Sequence, residues 1–419
     1  MIKILLGGSP CTHWSIAQKN DRETQPNSGL GWELFLNYKI ALEKYKPDYF
    51  LYENNKSAAQ PIKDEIARQL NVVKPDLLTP DNGVRMTHIN SSFVSAQQRE
   101  RFYVTNFGEI YQPQDRGILL RDVLDGMTDR DKARTVLSSV GRTTTREYFK
   151  KSQNTMAYEP VRVGEIGNGC QGIRIYSVDG KTVALTATSG GIGSNTGLYA
   201  IPVNPLSSGK SRCVTAGYAN KGAKHILESN YSDNPCKQTW DSVAEEVSTY
   251  AIPIEWDEHG RPTKAVSASD GKVYTVYEIK NGLITIKDKR YPIKLPDGFY
   301  IIRKLTVSEC KRLQTVPDWY EFPVSDTQAY KMLGNGWTIE VIKHLLSHIL
   351  NILNEDIEVL SMYDGMSCGQ IALKEMGCNV VRYYATEIDK YAIQATQHNF
   401  PNTIQLGDAF QVREDGWHI

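Results

Sequence analysis

Two apolar runs near the start of the chain end in residues that can do covalent and acid–base chemistry. The run IKILLGG breaks at two glycines and then presents Pro10 and Cys11, and the run DYFLYEN reaches Glu53. Cysteine is partly ionised near neutral pH and is a strong nucleophile, but a single cysteine is also commonly a buried structural thiol. Glu53 is either a surface carboxylate or an acid at the rim of a parallel sheet, where ligands bind. For Cys11 a structural thiol is the commoner of the two outcomes on this stretch alone, whereas the strand-end position of Glu53 favours a functional acid.

A pair of arginines follows in QQRERFYVTN, where Arg99 and Arg101 flank Glu100. Side chains two residues apart on a strand point to the same face, so both guanidinium groups are predicted on one side. They lie either on a solvated strand face or in a cleft where they stabilise negative charge. Their position beside the predicted site favours the second interpretation, and both are candidate catalytic residues.

The C-terminal segment contains three strand ends with a pattern typical of nucleotide-binding βαβ units. VLSMYDGMSCGQ is a strand, a turn and a helix start, in which the backbone at Gly365 and Gly369 can approach a ligand closely. The next two strands end in Glu387, where such folds hold a ribose diol, and Asp408, which can accept from an exocyclic amine. Structural turns are the alternative. Together the three ends predict an adenosine-containing cofactor, and the lack of G-x-G-x-x-G disfavours NAD and FAD.

Strand and helix signals alternate over 1–125 and again over 301–419, which predicts a mainly parallel sheet covered by helices. Between them, 126–300 lacks long helical periodicity, and three stretches each place a basic residue before a short strand and a turn: 132–139, 180–191 and 209–222. The sequence therefore predicts an α/β domain in two parts with a mostly β insertion. Two local predictions are a capping box of Thr306 and Glu309 and an amphipathic helix over 338–353.

Composition limits the class of protein. The 419 residues carry 48 basic and 48 acidic side chains, with a pI near 7.1. This balance argues against a histone-like coat protein but allows a local basic groove. The seven cysteines are scattered without a C-x-x-C pair, so we expect reduced thiols in a cytoplasmic protein, with no disulfide framework and no metal site. Neither a signal peptide nor a membrane-spanning run is expected.

Taken in order, these motifs resemble those of the cytosine-5 DNA methyltransferases, above all the phage and bacterial enzymes. The resemblance covers about 1–110 and 300–419 and leaves the middle as the family's variable target-recognition region. It implies a Rossmann-like S-adenosylmethionine-dependent methyltransferase sheet with a mostly β insertion. The matching motifs are GGSPC, YENN, QQRERFY, RKLTVSECKRLQTVPDWY and MLGNGWTIEVIKHL, followed by the cofactor motifs LSMYDGMSCGQIAL, YYATEIDKYAI and LGD.

The order of these motifs departs from the family. The cofactor motifs come first in the family and last here, so the chain resembles a circularly permuted member that begins just before the strand leading to Cys11. Such a rearrangement needs only short connections, because termini that lie close together on a surface loop tolerate it.

The resemblance implies a reaction and a role for each catalytic residue. Cys11 would add to carbon 6 of cytosine, and Glu53 would contact N3 and the exocyclic amino group. Arg101 and Arg99 would stabilise the attacked ring or position a phosphate. Carbon 5 would then take a methyl group, and loss of its proton would release the cysteine. The family often has valine at the position of Asn55, and this difference changes a residue of the pocket expected to hold the base.

The resemblance also implies which residues hold S-adenosylmethionine. Tyr363, Asp364 and Gly365 would surround the methionine moiety, and Glu387 would bind the ribose hydroxyls. Trp337 would lie near the methionine end but is equally well a core tryptophan. The remaining expected contacts are Ile388 on the adenine ring, Asp408 on its amino group and Asn335 at the methionine end.

The expected partner is double-stranded DNA, from which the target base is flipped at a cost of roughly a few kcal/mol. A monomer without membrane association is expected, and a cognate restriction endonuclease is a candidate further partner. Basic residues of the insertion are candidates for phosphate contact, with a solvated face as the alternative. These residues are Lys132, Arg134, Arg142, Arg146, Lys150, Lys151, Lys210, Arg212, Lys221 and Lys224.

Three other functions stay open on the sequence. An RNA-directed relative would have the same catalytic set, although the Cys-Phe-Thr signature of the tRNA branch is absent. An inactive DNA-binding paralogue would not need Cys11, Glu53 and the cofactor motifs together. An enzyme acting on free pyrimidine nucleotides would have no use for the long insertion. The leading interpretation is a DNA (cytosine-5)-methyltransferase of phage or restriction–modification type.

Overall fold

The structure is a computed structural model, and its contacts divide the chain into two units. One unit comprises 1–119, 132–142 and 310–419, and the other comprises 120–131 and 143–309. The described residues are 1–10, 13–14, 22–72, 82–138, 141, 144–145, 148–149, 155–165, 174–177, 198–200, 251–259 and 261–414. The candidates outside these residues are Cys11, Arg142, Arg146, Lys150, Lys151, Lys210, Arg212, Lys221 and Lys224.

The described strands are numbered along the chain. They are β1 (Ile2–Gly7), β2 (Tyr49–Asn55), β3 (Arg85–Asn90), β4 (Gln97–Gln98), β5 (Glu100–Thr105), β6 (Ala133–Arg134), β7 (Met156–Pro160), β8 (Arg162–Glu165), β9 (Arg174–Ser177), β10 (Leu198–Ala200), β11 (Ala251–Trp256), β12 (Pro262–Ser267), β13 (Val273–Lys280), β14 (Leu283–Ile286), β15 (Lys289–Pro292), β16 (Gly298–Lys304), β17 (Asp356–Met362), β18 (Asn379–Thr386) and β19 (Ile404–Gly407).

The described α-helices are numbered in the same way, and none of them is long and apolar enough to cross a bilayer. They are α1 (Leu30–Tyr45), α2 (Gln60–Gln69), α3 (Val307–Leu313), α4 (Asp326–Asn335), α5 (Ile339–Leu346), α6 (Cys368–Glu375) and α7 (Lys390–Asn399). Short 3₁₀ helices lie at Ser91–Phe93, Leu120–Asp122 and Ala409–Arg413.

The first unit is built on a seven-stranded sheet in the order β19–β18–β17–β1–β2–β5–β3. The five strands from β19 to β2 are parallel, whereas β5 is antiparallel to both β2 and β3. Helices connect the parallel strands, as a parallel pairing requires. The Rossmann-like α/β sheet that the sequence predicts is confirmed.

Strands β1 and β17 are neighbours at the point where the chain direction across the sheet changes. Their register runs from Ile2 opposite Ile357 to Gly7 opposite Met362. After β17 the chain continues to β18 on one side, and after β1 it continues to β2 on the other. Because the two connections diverge, a crevice forms at the carboxyl ends of these strands, where ligands bind in open α/β sheets.

Helix α1 covers this part of the sheet with one apolar face. Its buried aromatic residues Trp32, Phe35 and Tyr38 recur at helical spacing, which is why the segment forms an amphipathic helix. They belong to one core cluster with residues of β1, β2, β5 and β17: Leu5, Tyr52, Phe102, Leu360 and Met362. The strands that form the crevice are therefore packed against a continuous apolar core.

Two local predictions have opposite outcomes. The capping box is confirmed, because the Thr306 amide donates to Glu309 Oε2 at 2.7 Å and the Glu309 amide donates to Thr306 Oγ1 at 3.2 Å. The helix predicted over 338–353 is wrong at its end, since α5 stops at Leu346. Beyond it the chain makes tight turns and Asn351 is left-handed, so Leu350 and Leu353 face solvent and have no core to pack against.

The second unit is mostly β in its described part, as the sequence predicts. Strands β11 to β15 form an antiparallel path, β13 also pairs with β16, and β16 pairs with β7. The first of the three similar basic stretches, 132–139, instead lies with the first unit, where β6 pairs with β4. The other two stretches, 180–191 and 209–222, lie outside the described residues.

A buried ion cluster ties the strands of the second unit to the start of α3. Arg303 is fully buried between the fully buried Glu159 and Glu309. Its guanidinium donates to both Glu309 oxygens, at 2.7 and 2.9 Å, and its Nε pairs with Glu159. Ser267 and Ser269 donate to Glu159 at 2.9 and 2.7 Å, so the carboxylates are well satisfied.

Removing the cation from this cluster is predicted to destabilise the second unit. In Arg303→Met two buried carboxylates lose their partner, and we expect a loss of about 3–5 kcal/mol in the free energy of unfolding. Urea unfolding followed by circular dichroism measures it. The control is Lys264→Met, which breaks an exposed pair with Glu255 in the same unit and is expected to cost at most about 1 kcal/mol. Equal losses in the two variants would contradict the prediction.

Candidate active site

The segment that leads to Cys11 lies directly against Glu53. A Cβ atom at Gly8 would stand 2.5 Å from the Glu53 carbonyl oxygen and 3.0 Å from its Oε2. Any side chain at position 8 would therefore displace the Glu53 backbone or carboxylate. Cys11 itself lies outside the described residues, but the glycine explains how the chain approaches Glu53 just before it.

Hydrogen bonds from β2 hold the same segment in place. Ser9 Oγ lies 2.7 Å from the Tyr52 hydroxyl, and Asn54 Nδ2 donates to the Ser9 carbonyl at 3.0 Å. The Asn54 amide also reaches Ser9 Oγ and the Tyr52 oxygen, each at 3.2 Å. These groups are buried, and a satisfied buried polar network fixes a unique geometry. Alternate residues of β2 thus position the turn that precedes Cys11.

Glu53 is buried, and each of its carboxylate oxygens has its own partner. Arg101 Nε lies 2.9 Å from Oε1, and the indole Nε1 of Trp337 donates to Oε2 at 3.1 Å. Arg101 lies on β5 opposite Asn55 of β2, which explains its reach to Glu53. A buried carboxylate needs such charged and neutral donors to remain in place.

The side chain of Arg99 contacts backbone carbonyl groups, whereas that of Arg101 contacts a carboxylate. The Arg99 side chain is buried, and it donates to the carbonyl oxygens of Gly334 at 3.2 Å, Gly336 at 2.8 Å and Val136 at 3.4 Å. The guanidinium group thus holds the segment between α4 and α5 instead of facing a cleft. A direct role of Arg101 on the base stays a prediction. For Arg99 the contacts favour positioning of this segment.

The turn after β17 has an unusual backbone. Tyr363, Gly365 and Ser367 all have left-handed φ values, near 60°. For the two residues with side chains this conformation costs about 1–3 kcal/mol each, and such strain concentrates at functional sites. The Tyr363 and Asp364 amides donate to Thr386 of β18, which holds the turn in this shape. A Cβ at Gly365 would meet nothing within 4 Å, so the turn borders open space.

Glu387 joins the ends of β17 and β18. Its Oε2 accepts from the Gly365 amide at 2.8 Å, and its Oε1 accepts from the Ile388 and Asp389 amides, both at 2.8 Å. The Ile388 side chain beside it is 74% exposed. An oriented carboxylate next to an exposed apolar side chain suits a ligand with hydroxyl groups and a flat apolar ring.

Asp364 is a buried acid beside this turn. The Tyr383 hydroxyl donates to its Oδ1 at 2.9 Å, whereas Oδ2 is buried and makes no hydrogen bond of good geometry to the described residues. Burial raises the pKa of Asp364 to about 6. The hydroxyl groups of Ser361, Ser367 and Tyr383 act in the opposite direction and lower this pKa. A buried acceptor of this kind fits the donor groups of a bound ligand.

The other predicted cofactor residues lie at the same edge of the sheet or close to it. Asp408 follows β19, is exposed, and its Oδ1 accepts from the Phe410 amide at 2.9 Å as a helix cap. Asn335 is exposed at the end of α4. Trp337 is half-buried, and its amide donates to Cys368 Sγ at 3.3 Å at the start of α6. Trp337 therefore touches both the Glu53 side and the β17 side of the crevice.

The two described DNA candidates differ. Lys132 is half-buried, and its ammonium group donates to the carbonyl oxygens of Ser92, Ser95 and Ile118. These three bonds use all of its protons, so its contacts do not support the expected phosphate contact. Arg134 is exposed. Lys210 and Arg212 lie outside the described residues.

The sequence analysis did not find Tyr52, Tyr383 and Thr386, although all three position the site. Tyr52 and Tyr383 lie inside apolar strands, and a buried tyrosine usually needs a partner for its hydroxyl. That signal indicates a polar contact but not which one. The contacts join residues that are far apart in the chain, and only the folded sheet brings them together.

The fold and this site define a methyltransferase with a Rossmann-like sheet. A family model of the C-5 cytosine-specific DNA methylases matches residues 1–162 and 204–351, which is more than half of the chain. The chain belongs to this family. The sequence-based identification is thereby confirmed, and the chain is a DNA (cytosine-5)-methyltransferase.

Individual relatives agree with the family. The orphan methyltransferase M.Rho11sI of Bacillus phage rho11s is 24% identical over an alignment of 452 residues. The match covers 85% of this chain and 86% of the relative. The type II methyltransferase M.HhaI of Haemophilus parahaemolyticus is 28% identical over 219 residues, or 50% of this chain and 61% of the relative. Among solved structures, the Entamoeba histolytica methyltransferase EhMeth matches 84% of this chain and 78% of that chain, with 14% identity and a TM-score of 0.33.

The pKa of Asp364 predicts a pH-dependent stability. Since folding raises this pKa from the ordinary range near 4 to about 6, the folded state favours the protonated acid. The stability is therefore full below about pH 4, falls as the pH rises to 6, and stays lower above it, by up to about 3 kcal/mol. Urea unfolding of the wild type and of Asp364→Asn at pH 4.5 and pH 7.5 measures this difference. A stability difference between the two proteins that is the same at both pH values would contradict it.

Proposed function

We propose that this chain methylates carbon 5 of cytosine in duplex DNA, with S-adenosylmethionine as donor and Cys11 as the nucleophile. The observation that carries the proposal is the placement of Glu53. Both of its carboxylate oxygens are anchored near the carboxyl end of β2, against the segment that leads to Cys11. An acid next to a nucleophile is the arrangement that attack on a cytosine ring needs.

The chemistry assigned to these residues begins with addition. The Cys11 thiolate forms a bond to carbon 6, and the electron pair of the 5,6 double bond moves into the ring toward N3. Protonated Glu53 gives its proton to N3 and accepts a hydrogen bond from the exocyclic amino group. Arg101, already paired with Glu53, stabilises the charge that develops there. After methyl transfer a base takes the proton from carbon 5 and the N3 proton returns to Glu53, so the 5,6 double bond re-forms and the Cys11 thiolate leaves.

The turn after β17 supports the choice of cofactor. S-adenosylmethionine supplies an electrophilic methyl group when it is bound. Asp364 offers a buried, unpartnered oxygen for its ammonium group, and Gly365 borders the open space beside it. Glu387 has the place and chemistry for the ribose hydroxyls, with Ile388 beside it for the adenine ring. We assign Tyr363, Asn335 and Trp337 to the methionine end and Asp408 to the adenine amino group.

DNA recognition is assigned to the mostly β insertion, 126–300. Its described strands β11 to β16 pair antiparallel, and Lys210 and Arg212 remain predicted phosphate contacts together with the exposed Arg134. Lys132 is left out because its protons are used within the fold. A flipped target base would have to reach Glu53 for the reaction proposed above.

Circular permutation is part of the proposal. The family model matches residues up to 351, before β17 begins at Asp356. Yet β17, β18 and β19 complete the sheet beside β1, and β17 pairs with β1 along its whole length. Strands that supply the cofactor end of the sheet thus come last in the chain but lie directly beside β1 in the fold, in the order β19–β18–β17–β1.

Methyl transfer tests the reaction and the nucleophile together. We expect transfer of labelled methyl from S-adenosylmethionine to carbon 5 of cytosine in duplex DNA. Cys11→Ala should reduce transfer at least about a thousandfold while cofactor binding changes less than about threefold, because the covalent route is lost. The matched control is Cys378→Ala, which removes a half-buried thiol of the same unit. Parallel assays use tRNA and free dCMP.

Each other outcome of this assay has a definite meaning. Label only in tRNA or only in dCMP would overturn duplex DNA as the substrate. Loss of cofactor binding in Cys11→Ala would indicate a structural thiol. Undiminished transfer by Cys11→Ala would exclude Cys11 as the nucleophile.

The permutation makes a separate prediction. A rearranged chain that begins at Asn354 and joins the present termini through a flexible glycine–serine linker restores the family's motif order. Since the β1–β17 pairing is unchanged, we expect its methyl-transfer rate to stay within about tenfold of the original. A control cut within β2 should abolish folding. A soluble, folded but inactive rearranged chain would contradict the proposed equivalence.

A further inference from the structure

The indole of Trp337 makes a contact that neither cofactor binding nor core packing requires. Its Nε1 donates to Glu53 Oε2 at 3.1 Å, on the oxygen that Arg101 does not hold. The side chain is half-buried, and its N–H group points to the acid. We infer that Trp337 is a positioning residue for Glu53 in the methylation reaction.

The geometry shows why a second anchor matters. A carboxylate held by one guanidinium nitrogen can still rotate about its terminal torsion, which is broad for glutamate. Donors on opposite oxygens fix the plane of the group. Glu53 must present one oxygen to N3 and the other to the amino group of the same ring, so the orientation of that plane decides whether both contacts form. Small errors in such geometry are costly for rate.

The position of Trp337 is itself fixed. Arg99 donates to the carbonyl oxygens of Gly334 and Gly336, directly before Trp337. On the other side, Thr338 Oγ1 lies 2.8 Å from Ser91 Oγ and 3.0 Å from Gln314 Oε1. The Trp337 amide donates to Cys368 Sγ. A residue whose backbone is held at each neighbour can orient another side chain accurately.

The same contacts connect the two halves of the site. Cys368 opens α6, which follows the turn assigned to the cofactor, and Glu53 lies near the carboxyl end of β2, on the side assigned to the base. Trp337 contacts both. This inference rests on the proposed function, because it takes Glu53 as the group that contacts the base. It adds that the orientation of Glu53 depends on the segment between α4 and α5.

Steady-state kinetics of Trp337→Phe test this role. Phenylalanine keeps an aromatic ring and removes only the N–H donor, so we expect kcat to fall about 10–100-fold while KM for S-adenosylmethionine and for DNA stays within about threefold. The matched control is Trp319→Phe, because Trp319 Nε1 donates to Glu375 at 2.7 Å on the surface of the same unit. The control should keep the wild-type kcat.

A double-variant comparison separates positioning from general damage. In the Glu53→Gln background, adding Trp337→Phe should lower the residual kcat by less than about threefold, since the oriented acid is already absent. An unchanged kcat in Trp337→Phe would overturn the proposal. So would a tenfold rise in the cofactor KM with kcat unchanged, or an equal loss of kcat in the presence and absence of Glu53.

A nuclear magnetic resonance measurement tests the contact without any activity. With ¹⁵N-labelled tryptophan, the Trp337 indole signal is assigned from Trp337→Phe, with Trp337→Tyr as a second variant should the first not fold. Glu53→Gln should shift this signal and leave that of Trp319 in place, and Glu375→Gln should do the reverse. A Trp337 signal that does not respond to Glu53→Gln would overturn the inference. Failure of the unmodified chain to transfer methyl would instead overturn the proposed function, and the role of Trp337 with it, even if the contact is observed.

Discussion

The parallel pairing of β1 with β17 is the constraint on which the site depends. These strands come from opposite ends of the chain and pair from Ile2–Ile357 to Gly7–Met362. Their buried side chains belong to the core that α1 covers, so the pairing is stabilised by apolar burial as well as by backbone hydrogen bonds. The pairing sets the turn before Cys11 beside the turn at Tyr363. A shift by one residue would turn Leu5 and Leu360 to the opposite face and remove both turns from the crevice.

Buried polar groups, rather than apolar ones, give the site its fine geometry. Ser9, Tyr52 and Asn54 satisfy one another, and Arg99 satisfies backbone carbonyls that would otherwise be buried without donors. Apolar packing tolerates small displacements, whereas an unsatisfied buried polar group costs about 1–3 kcal/mol. The polar contacts therefore select one arrangement of loops on the packed sheet.

The sequence predicts the sheet and the strand ends well, because both depend on local periodicity. Glu53, Glu387 and Asp408 follow apolar runs, and a parallel sheet brings such ends to one edge. The roles of Arg99 and Lys132 could not be predicted in this way. Both are long cations in polar stretches, typical of a solvated or ligand-facing surface. Their partners are backbone carbonyls of distant segments, and a carbonyl acceptor leaves no mark in the sequence.

The prediction of the end of α5 is wrong for a related reason. The apolar pattern over 338–353 continues past Leu346, and Ile349 and Ile352 are indeed buried, whereas Leu350 and Leu353 are exposed. The chain reaches the core there through turns with a left-handed Asn351 and not through a further helical turn. Periodicity shows which residues could be buried together. It does not show whether a helix or a series of turns buries them.

The two glutamates of the site are anchored by different means, and this difference fits different tasks. Glu387 accepts hydrogen bonds from three backbone amides, which cannot move without the turn, and such a fixed acceptor suits the ligand contact proposed for it. Glu53 is held by two side chains, Arg101 and Trp337. Because each donor is a side chain, a substitution at Arg101 or Trp337 alters the orientation of Glu53. No truncation of a side chain removes a donor from Glu387, so the two acids respond differently to mutation of their partners.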